Sequence, residues 1–220
     1  MSEAPDRRPL GILGGTFDPV HYGHLRLAEE AHGALGLERI LWLPAEQPPH
    51  RAAPVGSARH RLELVRLAIA DNPAFVLDEA EAQNPAPSYT VISLMRLRGL
   101  HGAEKPLVLL LGADAFADLC TWHRWQDLFV LAHLAVATRP GYGLDPGRLP
   151  PALADELRAR QRPDAGALTQ APAGNIVTFA ITALDISATR IRATLATAGS
   201  ARYLLPDPVL DYIARHRLYR

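Results

Sequence analysis

Two histidines, His21 and His24, stand three residues apart in the run Gly14-Gly15-Thr16-Phe17-Asp18-Pro19-Val20-His21-Tyr22-Gly23-His24-Leu25. On a helix that spacing puts both imidazoles on one face, where they can reach the same anion. An imidazole of ordinary pKa, about 6.5, donates a hydrogen bond when neutral and accepts a proton where phosphate charge stabilises it. The paired glycines admit a ligand to the backbone with no Cβ in the way, so the N–H groups around Gly14, Gly15, Thr16 and Phe17 are candidate phosphate donors. A structural zinc site needs four ligands, and the local sequence offers no others beside the histidine pair. Asp18 is expected to form a turn rather than to hold a metal, and no metal-ligand set is assigned.

A second cluster opens a late helix: Ile186-Ser187-Ala188-Thr189-Arg190-Ile191-Arg192. Ser187 suits an N-cap, and Thr189 places a hydroxyl in the first turn. Capping leaves Arg190 and Arg192 unexplained, because the positive end of the helix dipole disfavours cations there. An anion bound at that helix start removes the conflict, and Arg192 can grip a phosphate through two parallel hydrogen bonds.

These residues need a scaffold, and the hydrophobic pattern supplies one. Strands are expected at Leu10–Leu13, Arg39–Leu43, Phe75–Leu77, Lys105–Leu111, Leu134–Thr138 and Asn175–Phe179. Helices are expected over Gly23–Leu35, Ser57–Asp71, Ser88–Leu100 (serine-capped, closed by Gly99 and Gly102), Ala113–Leu119, Trp125–Leu131, Ala152–Arg160, Ala188–Ala198 and Asp207–His216. Alternation of this kind implies βαβ crossovers, hence an α/β, Rossmann-like, doubly wound and mainly parallel sheet with helices on both faces. In such a sheet ligands bind beyond the carboxyl ends of the strands, which is where the glycine turn falls. One domain over 1–220 is expected. Within it, 140–174 forms a Pro-, Gly-, Ala- and Arg-rich surface excursion with one helix, and 186–220 a helical C-terminal part.

Composition narrows the function classes. The 220 residues carry 23 basic and 23 acidic side chains, so nothing favours a nucleic-acid partner. Lys105 is the one lysine, so any phosphate clamp must use guanidinium, imidazole and backbone N–H groups. The single cysteine, Cys120, excludes an internal disulfide. No apolar run is long enough for a membrane span and no leader is recognisable, so a cytoplasmic protein without a membrane partner is expected. A homo-oligomer is compatible with the sequence.

The Gly-Gly-Thr-Phe-Asp-Pro-Val-His-Tyr-Gly-His-Leu run, with the late Ile-Ser-x-Thr-x-Ile-Arg, resembles the His-x-Gly-His nucleotidyltransferase superfamily. Within it, five further segments resemble bacterial nicotinate-nucleotide adenylyltransferase: Pro44 to Arg51, His60 to Arg66, Ser88-Tyr89-Thr90, Gly112-Ala-Asp114 with Trp122 to Trp125, and Tyr203 to Ile213. The matches run from residue 11 to 219 and miss mainly 140–174. That resemblance implies adenylyl transfer from ATP to nicotinate mononucleotide, giving deamido-NAD and pyrophosphate by direct in-line displacement with no covalent enzyme intermediate. His21, His24 and Arg192 become the catalytic residues it implies. Gly14, Gly15, Thr16, Phe17, Gly112, Asp114, Ser187 and Thr189 become the ATP contacts. Tyr89, Thr90, Trp122, His50 and Arg51 are assigned to nicotinate mononucleotide: Trp122 stacks on the ring, and Thr90 with the backbone near Tyr89 takes its carboxylate. Mg2+ is expected to arrive mainly on ATP. The sequence departs from the family pattern at Ile92 (aspartate expected), Ala188 (serine), Arg51 (lysine) and Cys120 (proline). Sister enzymes using phosphopantetheine or nicotinamide mononucleotide, a silent nucleotide sensor, and a nucleic-acid module are the alternatives.

Overall fold

The computed structural model describes residues 8–46, 53–84, 87–139, 141 and 143–220. Six strands pair in the order β3-β2-β1-β4-β5-β6. They are β1 (Leu10–Gly15), β2 (Arg39–Pro44), β3 (Phe75–Leu77), β4 (Leu107–Gly112), β5 (His133–Thr138) and β6 (Ile176–Ala180). This is the doubly wound Rossmann order, which reverses direction where β1 meets β4. The registers are parallel: Leu10 beside Leu107, Leu109 beside Leu134, and Leu134 beside Ile176. The helices are α1 (Tyr22–Ala34), α2 (Ala58–Ile69), α3 (Thr90–His101), α4 (Ala113–Ala117), α5 (Leu128–Leu131) and α6 (Pro151–Arg160) between strands, and α7 (Ala188–Ala196) and α8 (Asp207–His216) after β6. The expected α/β architecture is therefore the observed one.

The chain groups into two compact units. The first comprises Met1–Ile12, Ala31–Ile40 and Tyr89–Ile181; the second comprises Leu13–Glu30, Leu41–Ser88 and Thr182–Arg220. In the first, β4 and β5 are buried along their aliphatic lengths, as an interior parallel strand requires. Each fully buried leucine there contributes about 1.5–3 kcal/mol. Helix α3 directs Val91, Leu94 and Leu97 inward. His133, fully buried, accepts a hydrogen bond from the Asn175 N–H on Nδ1 (3.0 Å) and meets the Ala171 carbonyl with Nε2 (2.8 Å). Burial holds it neutral, with its pKa below the usual value.

In the second unit, Ser57 caps α2 by accepting from the His60 N–H, and α2 packs against α8. Trp42 is wholly buried, its ring 5.3 Å from Phe17 and 5.4 Å from Phe75.

Several expected details are corrected. Helix α3 begins at Thr90, and Ser88 does not cap it: its Oγ accepts from the Glu46 N–H, 42 positions away. Gly99 lies within α3, and only Gly102 closes it, at φ +82° with its N–H donated to the Arg98 carbonyl. The expected helix over 113–119 stops at Ala117 and is followed by a 3-10 turn, and the expected helix from Trp125 opens as another. The 140–174 stretch holds α6 and two further 3-10 turns, and it buries Leu153, Leu157 and Leu168 rather than lying wholly on the surface.

Candidate active site

The second unit brings the two motifs together. Strand β1 ends at Gly15, the chain turns through a cis Asp18–Pro19 bond, and α1 begins at Tyr22. His21 is the last residue before the helix, and its carbonyl accepts from the His24 and Leu25 N–H groups. Its own N–H donates to His24 Nδ1 at 3.3 Å. That is half of a capping box, and it explains the three-residue spacing without any ligand. It also fixes a tautomer: with Nδ1 accepting, neutral His24 carries its proton on Nε2. The two rings stack with centroids 3.8 Å apart and planes 25° from parallel.

His21 is 6% exposed, and its Nδ1 is buried with no hydrogen-bond partner among the described residues. Such groups are rare in folded proteins. Burial lowers its pKa from 6.5 to about 4, so the ring is neutral at neutral pH. The unfolded chain therefore binds a proton at higher pH than the folded one. Stability is full above pH 6.5 and falls as pH drops towards 4, by about 3 kcal/mol from this residue. Urea unfolding across that range should show the decline, with a shallower slope in His21→Gln. His133 contributes in the same direction in both proteins, so the difference isolates His21. Equal slopes would contradict the assignment.

The glycines serve packing as well as access. A Cβ on Gly15 would lie 2.9 Å from the Phe17 ring, which is buried edge-on against His24 (5.1 Å). Around Gly14 the space is open, as close approach of a ligand requires. A Cβ on Gly23 would lie 3.0 Å from His21 Cε1 and Nδ1. The glycine of His-x-Gly-His thus leaves room for the first imidazole. Gly23→Ala should lower kcat by displacing that ring while stability changes by less than ~1 kcal/mol, because alanine favours the helix. Unchanged kcat with an intact melting temperature would count against this placement.

The late motif meets this loop. Ser187 caps α7 by accepting from the Arg190 N–H. Arg190 turns to Asp185 at 3.0 Å on the surface, so it needs no anion. Arg192 does not turn away: its Nη1 donates to the Asp18 carbonyl at 2.6 Å, 174 positions distant, and Nη2 lies 3.4 Å from Thr189 Oγ1. A Cβ on Gly23 would also sit 3.6 Å from the Ile186 carbonyl, so the start of α1 adjoins the start of α7.

Asp18 sits in the expected turn, and its side chain also ties distant segments together. Its carboxylate is 5% exposed and accepts from the Val55 N–H (2.7 Å), the Gly56 N–H (3.0 Å) and the Tyr219 hydroxyl (2.7 Å), with Arg192 3.9 Å from Oδ2. Beside it Arg61, 1% exposed, donates to the carbonyls of Gly56, Thr16, Ala45 and Glu46. Sequence reasoning missed Arg61 and Tyr219. For Arg61 a signal existed: it shares the apolar face of α2 with Leu64 and Val65.

In the first unit, Gly112 ends β4 with open space where a Cβ would stand, and Asp114 follows in the first turn of α4. Asp114 is exposed and is not the N-cap, a position that Gly112 holds. Tyr89 lies 4.5 Å from the ring of His123, which joins the Ser-Tyr-Thr turn to the half-buried Trp122. Thr90 starts α3, and Ile92 is half-exposed on the same helix. Trp125 is buried against Phe129, as expected of a core tryptophan. Burial pushes the Cys120 thiol up, away from reactivity. His50 and Arg51 lie outside the described residues. A groove of about 380 Å³ lined by Tyr22, Leu25, Arg26, Phe75 and Leu184 runs along a face of α1 other than that of His24.

Residues 12–194 match the cytidylyltransferase-like family model. A probable nicotinate-nucleotide adenylyltransferase from Dechloromonas aromatica (strain RCB) is 59% identical over 96% of this chain and 98% of its own. Another from Acidithiobacillus ferrooxidans is 47% identical over 96% and 95%. The chain belongs to this nucleotidyltransferase family. Its fold is shared at 16% identity, with a TM-score of 0.72 over 96% of this chain and 97% of the other, by Plasmodium falciparum nicotinic acid mononucleotide adenylyltransferase, solved in complex with NaAD. In this family member, no helix among the described residues is long and apolar enough to cross a membrane.

Proposed function

We propose that the protein transfers the adenylyl group of ATP to nicotinate mononucleotide, yielding deamido-NAD and pyrophosphate. A 5′-phosphate oxygen of the mononucleotide attacks the α-phosphorus of ATP in line, and the bond to the β-phosphate oxygen breaks as pyrophosphate leaves. The observation that carries this reading is the 2.6 Å bond from Arg192 to the Asp18 carbonyl, which sets the late arginine against the histidine loop. Backbone N–H groups of Gly14, Gly15, Thr16 and Phe17 and the imidazoles of His21 and His24 receive the α-phosphate region. Ser187, Thr189 and Arg192 receive the leaving pyrophosphate. Chemistry of this kind rests on positioning and charge stabilisation.

The fixed tautomer supports a mechanism without a covalent intermediate. His24 offers Nε2–H, a donor, where a nucleophile would need a lone pair. Gly112 and Asp114 would hold the adenosine end, and Tyr89, Thr90 and Trp122 the nicotinate. Asp18, the one carboxylate of the glycine–histidine loop, already serves three donors, so the loop offers Mg2+ no ready ligand. The ion would travel on the triphosphate oxygens and water, supplying charge neutralisation there. ATP and nicotinate mononucleotide are the partners, in the cytoplasm. Purified protein given ATP with the acid or the amide mononucleotide should release pyrophosphate and dinucleotide one to one, and faster with the acid. Equal rates with both would overturn the carboxylate pocket, and pyrophosphate without dinucleotide would overturn the transfer.

A further inference from the structure

The last turn of the chain does more than end a helix. After α8 the backbone reverses through Arg217 at φ +52°, and Tyr219 itself sits at φ +63°, a conformation that an aromatic L-residue adopts only under constraint from its surroundings. The reversal buries the ring to 8% exposure and delivers its hydroxyl to Asp18 Oδ1 at 2.7 Å. The fit is tight: a Cβ on Gly56 would lie 2.9 Å from that hydroxyl and 2.8 Å from Asp18 Oδ1. Burial and the neighbouring carboxylate push the tyrosine pKa up, so the hydroxyl remains a donor throughout the working range.

Two cations flank the Asp18 carboxylate, and they differ in freedom. Arg61 is fixed by four carbonyls. Arg192 is 27% exposed, bonded to the Asp18 carbonyl, and only 3.9 Å from its carboxylate. Buried charge is satisfied by whichever donors can reach it. The Tyr219 hydroxyl and the Gly56 N–H donate to Oδ1 and the Val55 N–H to Oδ2, so three donors already compensate the carboxylate, and the arginine stays 3.9 Å from Oδ2 rather than in a full ion pair.

We propose that Tyr219 is a positioning residue for the reaction: by compensating part of the Asp18 charge at Oδ1 it keeps the Arg192 guanidinium loosely held and turned towards the phosphates of ATP. Phenylalanine in its place leaves Asp18 short of one donor, and Arg192 closes the gap and retreats from the nucleotide. This inference rests on the reading of Arg192 as a phosphate ligand, and the test separates the two.

Steady-state kinetics of Tyr219→Phe, Arg192→Ala and the double variant, each with its melting temperature, provide it. Arg192→Ala should raise KM for ATP more than tenfold, on the order expected for losing a charged hydrogen bond, with KM for nicotinate mononucleotide little changed. Tyr219→Phe should raise KM for ATP about fivefold, again sparing the mononucleotide, and should add nothing in the Arg192→Ala background. An equal Tyr219→Phe effect in both backgrounds, or a lower melting temperature with KM for ATP unchanged, overturns the positioning role while leaving Arg192 in place. No effect of Arg192→Ala on ATP overturns the phosphate reading itself.

Discussion

His24→Ala is expected to lower kcat by about 10²–10³-fold while KM for ATP changes far less. His24 Nδ1 accepts from the His21 N–H, so the neutral ring presents a donor, Nε2–H. A donor placed there binds ground-state phosphate modestly. It matters most as charge moves onto the departing pyrophosphate, and an interaction strengthened only then appears in kcat. Removing the imidazole also removes the capping bond, at a cost of about 1 kcal/mol in stability. The kinetic and structural effects are therefore separable by size. His24→Asn, which keeps a short polar group near the helix start, should retain more stability without recovering the rate. Near-normal turnover in His24→Ala would contradict the assignment.

Arg61→Leu is expected to destabilise the fold by about 3–5 kcal/mol. The guanidinium is nearly sealed from water and donates to four carbonyls, at 3.0 Å to Gly56, 2.8 Å to Thr16, 2.5 Å to Ala45 and 2.9 Å to Glu46. Leucine fills part of the volume but leaves those carbonyls buried without donors, each costing about 1–3 kcal/mol before relaxation. It also removes a positive charge beside Asp18 and Glu46, the two carboxylates that oppose the downward pull of burial on this arginine. The urea midpoint should fall steeply with little change in slope. A loss below ~1 kcal/mol would show that the loops at Thr16, Ala45 and Gly56 hold their places without it.

Strand β4 was legible because five consecutive aliphatics followed by glycine admit few other fates, and α2 because its apolar positions recur near the helical period. The histidine pair was legible from spacing, as was the late motif from arginines set against a helix dipole. Arg190 shows the limit of that argument: a neighbouring Asp185 satisfies it, and only Arg192 turns to the loop. The long-range bonds of Asp18, Ser88 and Tyr219 were not legible, for one physical reason. Asp18 beside proline looks like a turn, and Ser88 before an apolar run looks like a cap. Their actual partners lie 37 to 201 positions away, set by how the loops close. Arg61 was half-legible, as a charge on an apolar helix face.

The most direct test of the account is a crystal structure with a non-hydrolysable ATP analogue. The α-phosphate should lie within hydrogen-bond distance of His24 Nε2, and the β- and γ-phosphates should lie against Ser187, Thr189 and Arg192. A triphosphate seated elsewhere, such as the groove beside Tyr22 and Leu184, with His24 and Arg192 untouched, would contradict it.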